Sequence, residues 1–252
     1  MAKALLSSLA SIVNKFVFRP FGVRLNKIRR YDQDGLSTVH SCDFMRDPDF
    51  IVAYQRGIQA AGEDYRFHWR AYVALWVASR AAQLPGDFVE CGVNRGFLSS
   101  AIMQYLSWNK LNKKFYLFDT FCGLDESQLN EEEKKIGRLG STRDYKKTNF
   151  ELVQENFKEF SNVILVKGSV PSTLSKVDVA SVAYLSLDMN CASPEIAAIR
   201  HFWPSLVPGA MVLLDDYAFK GFEPQKKAMD QFANEVKIKI LSLPTGQGLI
   251  IR

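Results

Sequence analysis

From Gly86 to the carboxyl end the chain alternates short β-rich runs with helical stretches, until a final pair of runs lies too close together for the alternation to continue. Residues 87–93, 115–118, 163–166, 182–187, 211–214, 238–243 and 249–251 read as strands, and 98–108, 149–160, 194–203 and 225–235 read as helices. Strands that alternate with helices build a mostly parallel sheet covered on both faces. The last two runs are separated only by Pro244-Thr245-Gly246-Gln247-Gly248, whereas a parallel crossover needs roughly a dozen residues or more. They must therefore pair antiparallel, or not at all. The expected fold is α/β and Rossmann-like, with a seven-stranded, mostly parallel sheet whose last strand is antiparallel.

Two segments precede this core. Residues 48–84 form a helical cap, in which Tyr54, Ile58, Tyr72, Leu75, Trp76 and Val77 recur at helix-compatible spacing before Pro85-Gly86 stops the run. Its aromatics read as core, and His68, Trp69 and Arg70 are placed to roof a pocket. Residues 1–47 form a basic amino-terminal arm with an amphipathic helical start. The chain carries a net charge of +5, yet seven of its 32 Lys and Arg fall in residues 1–31, which hold no acid. The rest carries 25 basic against 27 acidic residues, so the charge is no argument for nucleic acid as a partner. The arm, with Phe16, Phe18 and Phe21 among its cations, suits a peripheral membrane contact, or packing on its own domain or on a neighbouring subunit.

Cys42, Cys91, Cys122 and Cys191 are too scattered to form a local metal clamp or redox pair, and no run approaches the ~20 apolar residues of a membrane span. A cytoplasmic location is the expectation. Residues 123–148 are polar, charged and weakly periodic. Because they follow a strand's carboxyl end, where ligands of open α/β sheets bind, they are a candidate lid, with a solvated insertion as the plainer alternative.

The chemistry gathers at strand ends. In Glu90-Cys91-Gly92-Val93-Asn94-Arg95-Gly96 a strand delivers an acid into a glycine-bearing turn. Gly92 and Gly96 let the main chain approach a ligand, and Glu90 is suited to a positive amino group. The spacing does not match G-x-G-x-x-G, which counts against a dinucleotide cradle and an NAD-dependent oxidoreductase. Asp119 ends the next strand, where a carboxylate accepts from both hydroxyls of a ribose. Lys167-Gly168-Ser169 ends a third and flanks an adenine. Asp188 and the pair Asp215-Asp216 end two more strands. Three carboxylates brought together need protons or a cation, and an oxygen-only donor set favours Mg²⁺ or a similar ion. A metal-bound hydroxyl beside Asp188 would make that residue both ligand and base.

These segments, ECGVNRGFLS, LFDTFCGL, VKGSVPSTL, LDMNCASPEIAAI, LVPGAMVLLDDYAF and LPTGQGLII, together resemble the class I S-adenosylmethionine-dependent methyltransferases of the macrocin, mycinamicin and novobiocin O-methyltransferase group. The resemblance runs from about residue 50 to the end. It implies the seven-stranded methyltransferase sheet, S-adenosyl-L-methionine held by Glu90, Gly92, Gly96, Asp119, Gly168 and Ser169, and Mg²⁺ held by Asp188, Asp215 and Asp216. It also implies a small-molecule or glycan hydroxyl as acceptor. Asp188-Met189-Asn190-Cys191 and Pro208-Gly209-Ala210 depart from the group's Asp-x-Tyr and Pro-Gly-Gly patterns, and the first departure leaves the acceptor open. A nucleoside-binding or membrane-docking scaffold without turnover is the non-enzymatic alternative, and homo-oligomerisation through the arm is a further expectation.

Overall fold

A computed structural model of the chain describes residues 11–18, 20, 30–141 and 148–252. Most of the basic arm, with Phe21, Arg24, Lys27 and Arg29, lies outside the described residues, as do residues 142–147 of the candidate lid. The chain divides into two compact units, Met1–Asp43 and Phe44–Arg252.

In the first unit Tyr31–Gln33 and Leu36–Thr38 pair antiparallel, Tyr31 opposite Thr38. Asp34 and Gly35 both have positive φ, the conformation that a two-residue Asp-Gly hairpin turn requires. The sequence reading passed over this hairpin, although Asp-Gly is its strongest short-range signal. Phe16 is 70% exposed, and among the described residues no helix is long and apolar enough to cross a membrane.

The second unit opens with α1 (Pro48–Ala61), capped by the Asp47 carboxylate, which accepts from the amides of Asp49 and Phe50. Gly62 ends α1 in the left-handed conformation, so the cap region is two helices rather than one. The second is α2 (His68–Ala81). Then follow β1 (Asp87–Cys91), α3 (Phe97–Tyr105), β2 (Phe115–Asp119), short α4 (Glu131–Lys135) and α5 (Arg138–Ser141), α6 (Phe150–Phe157) and β3 (Val163–Lys167). The remainder is β4 (Val182–Leu187), α7 (Ala192–Phe202), β5 (Leu206–Leu214), α8 (Glu223–Glu235), β6 (Leu241–Ser242) and β7 (Gly248–Ile251).

The sheet order is β3-β2-β1-β4-β5-β7-β6. β1 to β5 are mutually parallel, and β7 runs antiparallel to both β5 and β6, as the short final turn requires. β6 is shorter than the predicted run because the Ile238 amide still donates to the Ala233 carbonyl at the end of α8. Alternate residues feed two cores. Phe88, Phe115, Leu117 and Tyr184 pack with α1, α2 and α3, whereas Val89, Tyr116, Phe118 and Leu185 pack with α7 and α8. Trp76, counted in the apolar pattern, is instead 48% exposed. The chain moves outward from β1 through β2 to β3 and then returns to place β4 on the other side of β1. This switch point opens a crevice beyond the carboxyl ends of β1 and β4, and the candidate residues lie around it.

Candidate active site

The turn between β1 and α3 is held by the protein itself. Gly92 has φ +93°, and a Cβ there would lie 1.9 Å from the Asp188 carbonyl oxygen. Gly96 has φ +86°, and its Cβ would lie 2.4 Å from the Phe157 ring. The glycines are thus demanded by close approach of β4's continuation and of α6, a reason different from the ligand approach read from the sequence. Gly168, at φ +132°, is likewise closed against Thr173, 2.7 Å from where a Cβ would sit.

Asp119, at the end of β2, reaches across to this turn. One carboxylate oxygen accepts from the amides of Val93 (2.7 Å) and Asn94 (2.9 Å), and the other from the amide of Phe121 (2.6 Å). Burial pushes its pKa up and these donors pull it back. The carboxylate assigned to a ribose therefore already organises the glycine turn. Ser169 donates from its hydroxyl to Asp125 at 2.7 Å, tying the loop after β3 to the segment that follows β2.

Glu90 is buried near the end of β1 and accepts from the Ser99 hydroxyl at 2.7 Å. Burial, opposed by that hydrogen bond and reinforced by the charges of Asp215 and Asp119, carries its pKa to about 8. An acid pressed toward its neutral form by burial, and further by neighbouring acids, is a place that favours a cation.

On the other side of the crevice the sequence-predicted trio is joined by a cation the sequence reading had placed only as a pocket roof. Arg70, from the first turn of α2, donates to the carboxylates of Asp215 and Asp216, the latter at 3.0 Å, and to the Asp215 carbonyl at 3.1 Å. Gln247, from the closing hairpin, donates to the other Asp215 carboxylate oxygen at 3.0 Å, and its own amide oxygen accepts from Thr245 at 2.9 Å. Asp188 accepts from the Asn190 side chain at 3.2 Å. Burial first, then the charges of Asp215 and Asp216, raise the Asp188 pKa well above the carboxylate range, with Arg70 opposing. Nearby, Glu195 accepts from the Met189 amide and from Gln225, both at 3.1 Å, and burial lifts its pKa to about 8.

The candidate lid is largely exposed over its described part but is anchored by a few buried side chains. Glu133 is fully buried; it completes a capping box with Asn130 and accepts from the Ala192 amide at 2.7 Å, at the amino end of α7. Arg138 donates to the Gly221 carbonyl at 2.6 Å and lies over the Phe222 ring. The segment is therefore tied to the loops that follow β4 and β5, the strands that end in the acids.

The sequence profile of the macrocin-O-methyltransferase (TylF) family matches residues 74–241. The chain belongs to the macrocin O-methyltransferase family. This membership sets aside the dinucleotide oxidoreductase alternative. A macrocin-family chain of this kind is also similar to the 8-demethyl-8-(2,3-dimethoxy-alpha-L-rhamnosyl)-tetracenomycin-C 4'-O-methyltransferase of Streptomyces olivaceus, with 27% identity over 142 residues. The match covers 54% of each protein, so the chain spans about half the length of this curated relative. Among solved structures, the O-methyltransferase NovP superposes with a TM-score of 0.67 at 18% identity, covering 84% of this chain and 99% of that one. The calicheamicin methyltransferase CalS11 gives 0.56 at 19% identity, covering 72% and 77%. PaMTH1 of Podospora anserina gives 0.50 at 14%, covering 81% and 87%. These likenesses establish the fold.

The macrocin-family resemblance implies Mg²⁺ on Asp188, Asp215 and Asp216. Among the described residues no group of three or more His, Cys, Asp or Glu side chains is arranged to hold an ion. Arg70 and Gln247 engage both carboxylate oxygens of Asp215. Asp188 and Asp216 each keep one oxygen that no hydrogen bond from the described residues reaches. Magnesium commonly takes one or two carboxylates and completes its shell with water and substrate oxygens, so two carboxylates are a donor number it accepts. Sequence reasoning missed Ser99, Gln247 and the pairing role of Arg70, because each acts across the fold rather than within a motif.

Proposed function

We propose that the protein is an S-adenosylmethionine-dependent O-methyltransferase acting on a hydroxyl of a sugar, glycoside or other small polyol, assisted by Mg²⁺. The observation that carries this reading is the partition of acids about the switch point: Glu90 and Asp119 beside the glycine turn, and Asp188, Asp215 and Asp216 beyond β4 and β5. Family membership supports it. So do the names of similar proteins, since the Streptomyces relative is a sugar 4'-O-methyltransferase and CalS11 is a TDP-rhamnose 3'-O-methyltransferase.

S-adenosylmethionine would supply a methyl group on a positive sulfonium, and Mg²⁺ would supply Lewis acidity toward the acceptor hydroxyl. Glu90, once ionised, pairs with the amino group. Asp119 exchanges part of its backbone hydrogen bonding for the ribose hydroxyls, and Gly168 and Ser169 border the adenine. Asp188 takes the acceptor's proton as the oxygen–carbon bond forms and the carbon–sulfur bond breaks, its electron pair staying on sulfur. Asp188 follows β4 on the acid side of the crevice, and burial first, then the charges of Asp215 and Asp216, raise its pKa, which makes its ionised form a stronger base.

Incubation with methyl-labelled donor and a panel of glycosides, nucleotide sugars and polyols tests the reading. Label is expected on a sugar or polyol hydroxyl, in step with S-adenosylhomocysteine formation. Transfer confined to nucleic acid, to a protein or to a carboxylate would contradict it.

A further inference from the structure

Arg70 and Asp215 are 145 residues apart, and their contact is among the most buried ion pairs in the described structure: the side chains are 13% and 9% exposed, and Asp216 is 7% exposed. The guanidinium Nη2 donates to both carboxylates and to the Asp215 carbonyl, and the group lies over the Phe219 ring, whose centroid is 5.1 Å away. Arginine stays charged at every accessible pH, and charges shielded from water are little screened by salt. A permanent cation of this kind competes with any other cation for the same oxygens.

We propose that Arg70 is a built-in counter-cation that competes with a divalent metal for the Asp215–Asp216 pair, keeping Asp215 out of the ligand set. Asp215 is then an anchor between helix α2 and the closing hairpin, with one oxygen on Arg70 and the other on Gln247. Asp188 and Asp216 are the carboxylates that present an open oxygen. Arg70 acts here as a positioning residue, through its contacts with Asp215 and Asp216. The acid cluster is thereby tuned to a weak, exchangeable metal site of two protein carboxylates. The inference rests on the metal part of the proposed function and is independent of methyl transfer.

Binding of Mn²⁺, followed by the loss of its free electron paramagnetic resonance signal in the absence of any methyl donor, tests this. Arg70→Gln is expected to bind Mn²⁺ at least about tenfold more tightly than the unmodified protein, because Asp215 is released to join the site. Asp216→Asn is expected to weaken binding at least about tenfold, and Asp215→Asn by less than about threefold. In the Arg70→Gln background, however, Asp215→Asn should cost about tenfold or more, and that coupling is the signature of competition. Removing one partner of a buried ion pair strains the fold. Should Arg70→Gln not fold, Arg70→Lys, which keeps the charge but carries a more strongly hydrated ammonium that holds the two acids less firmly, decides the matter by binding at least about threefold more tightly. Tight binding by Arg70→Gln with none by the unmodified protein would uphold the competition and remove the metal from the proposed function, leaving donor binding and methyl transfer untouched. Equal or weaker binding by the Arg70 variants, or equal losses from Asp215→Asn and Asp216→Asn in the unmodified background, would overturn the inference.

Discussion

Asp188→Asn is expected to lower methyl transfer by a factor on the order of a thousand while leaving S-adenosylhomocysteine affinity within about threefold. Asp188 lies beyond β4, across the switch point from Glu90 and Asp119, so its loss should be felt at the acceptor and not at the donor. The substitution keeps the side chain's shape and removes the ability to take a proton. It also removes a buried ionisable group, because burial first, and then the charges of Asp215 and Asp216, push the Asp188 pKa upward. The variant should therefore be at least as stable as the parent protein, which separates a chemical defect from a folding defect. Steady-state turnover, calorimetric affinity and thermal unfolding on one preparation check all three expectations. Turnover within tenfold of the parent would remove Asp188 as the base.

Glu90→Gln is expected to stabilise the ligand-free protein and to disable donor binding. Glu90 ordinarily titrates near 4.5 and is carried to about 8 in the fold by burial, with Asp215 and Asp119 adding to the shift and the Ser99 hydroxyl opposing it. Its folded pKa lies above its unfolded one. Its contribution to stability is thus complete below about pH 4.5 and is lost as pH rises through about 8. Glutamine is neutral at every pH and can still accept from Ser99. At pH 8 the variant's melting temperature should exceed the parent's by several degrees, each kcal/mol being worth about 2–4 °C in a chain of this size. At pH 5 the two should nearly coincide. Glu195, also raised to about 8, retains its own share of the pH dependence, so the slope is reduced and not abolished. The amino group of the donor finds no anion in the variant, and S-adenosylhomocysteine affinity should fall at least about tenfold. A variant that bound with parental affinity would show that the amino group is held elsewhere.

Much of this architecture was legible in the chain because buried parallel strands are nearly continuous apolar runs, as β4 is from Val182 to Leu187, and because five residues cannot cross over a sheet. The acids at strand ends were legible for the same reason, since a polar residue that closes an apolar run marks where the strand leaves the core. What those acids touch was not legible. Arg70 sits in a helix long before Asp215, and no local pattern records that the two meet. Gly92 and Gly96 stood out as glycines, but the Asp188 carbonyl and the Phe157 ring that require them arrive from distant segments. The buried Glu133 and Arg138 lie in a run so rich in charge that it reads as solvated. Asn130 with Glu133 three residues on forms a capping box, a local pattern in this run that marks a helix start, and the sequence reading did not use it.

The central claim is that the crevice beyond β1, β2 and β4 holds S-adenosylmethionine. Titration calorimetry of S-adenosylhomocysteine into the unmodified protein and into Asp119→Ala tests it most directly. The account predicts saturable one-to-one binding by the former and a loss of at least about tenfold in the latter, with Asp119→Asn, which retains a carbonyl acceptor for the turn, falling between them. An absence of binding heat with the unmodified, folded protein across several temperatures, or equal affinity in Asp119→Ala, would contradict it.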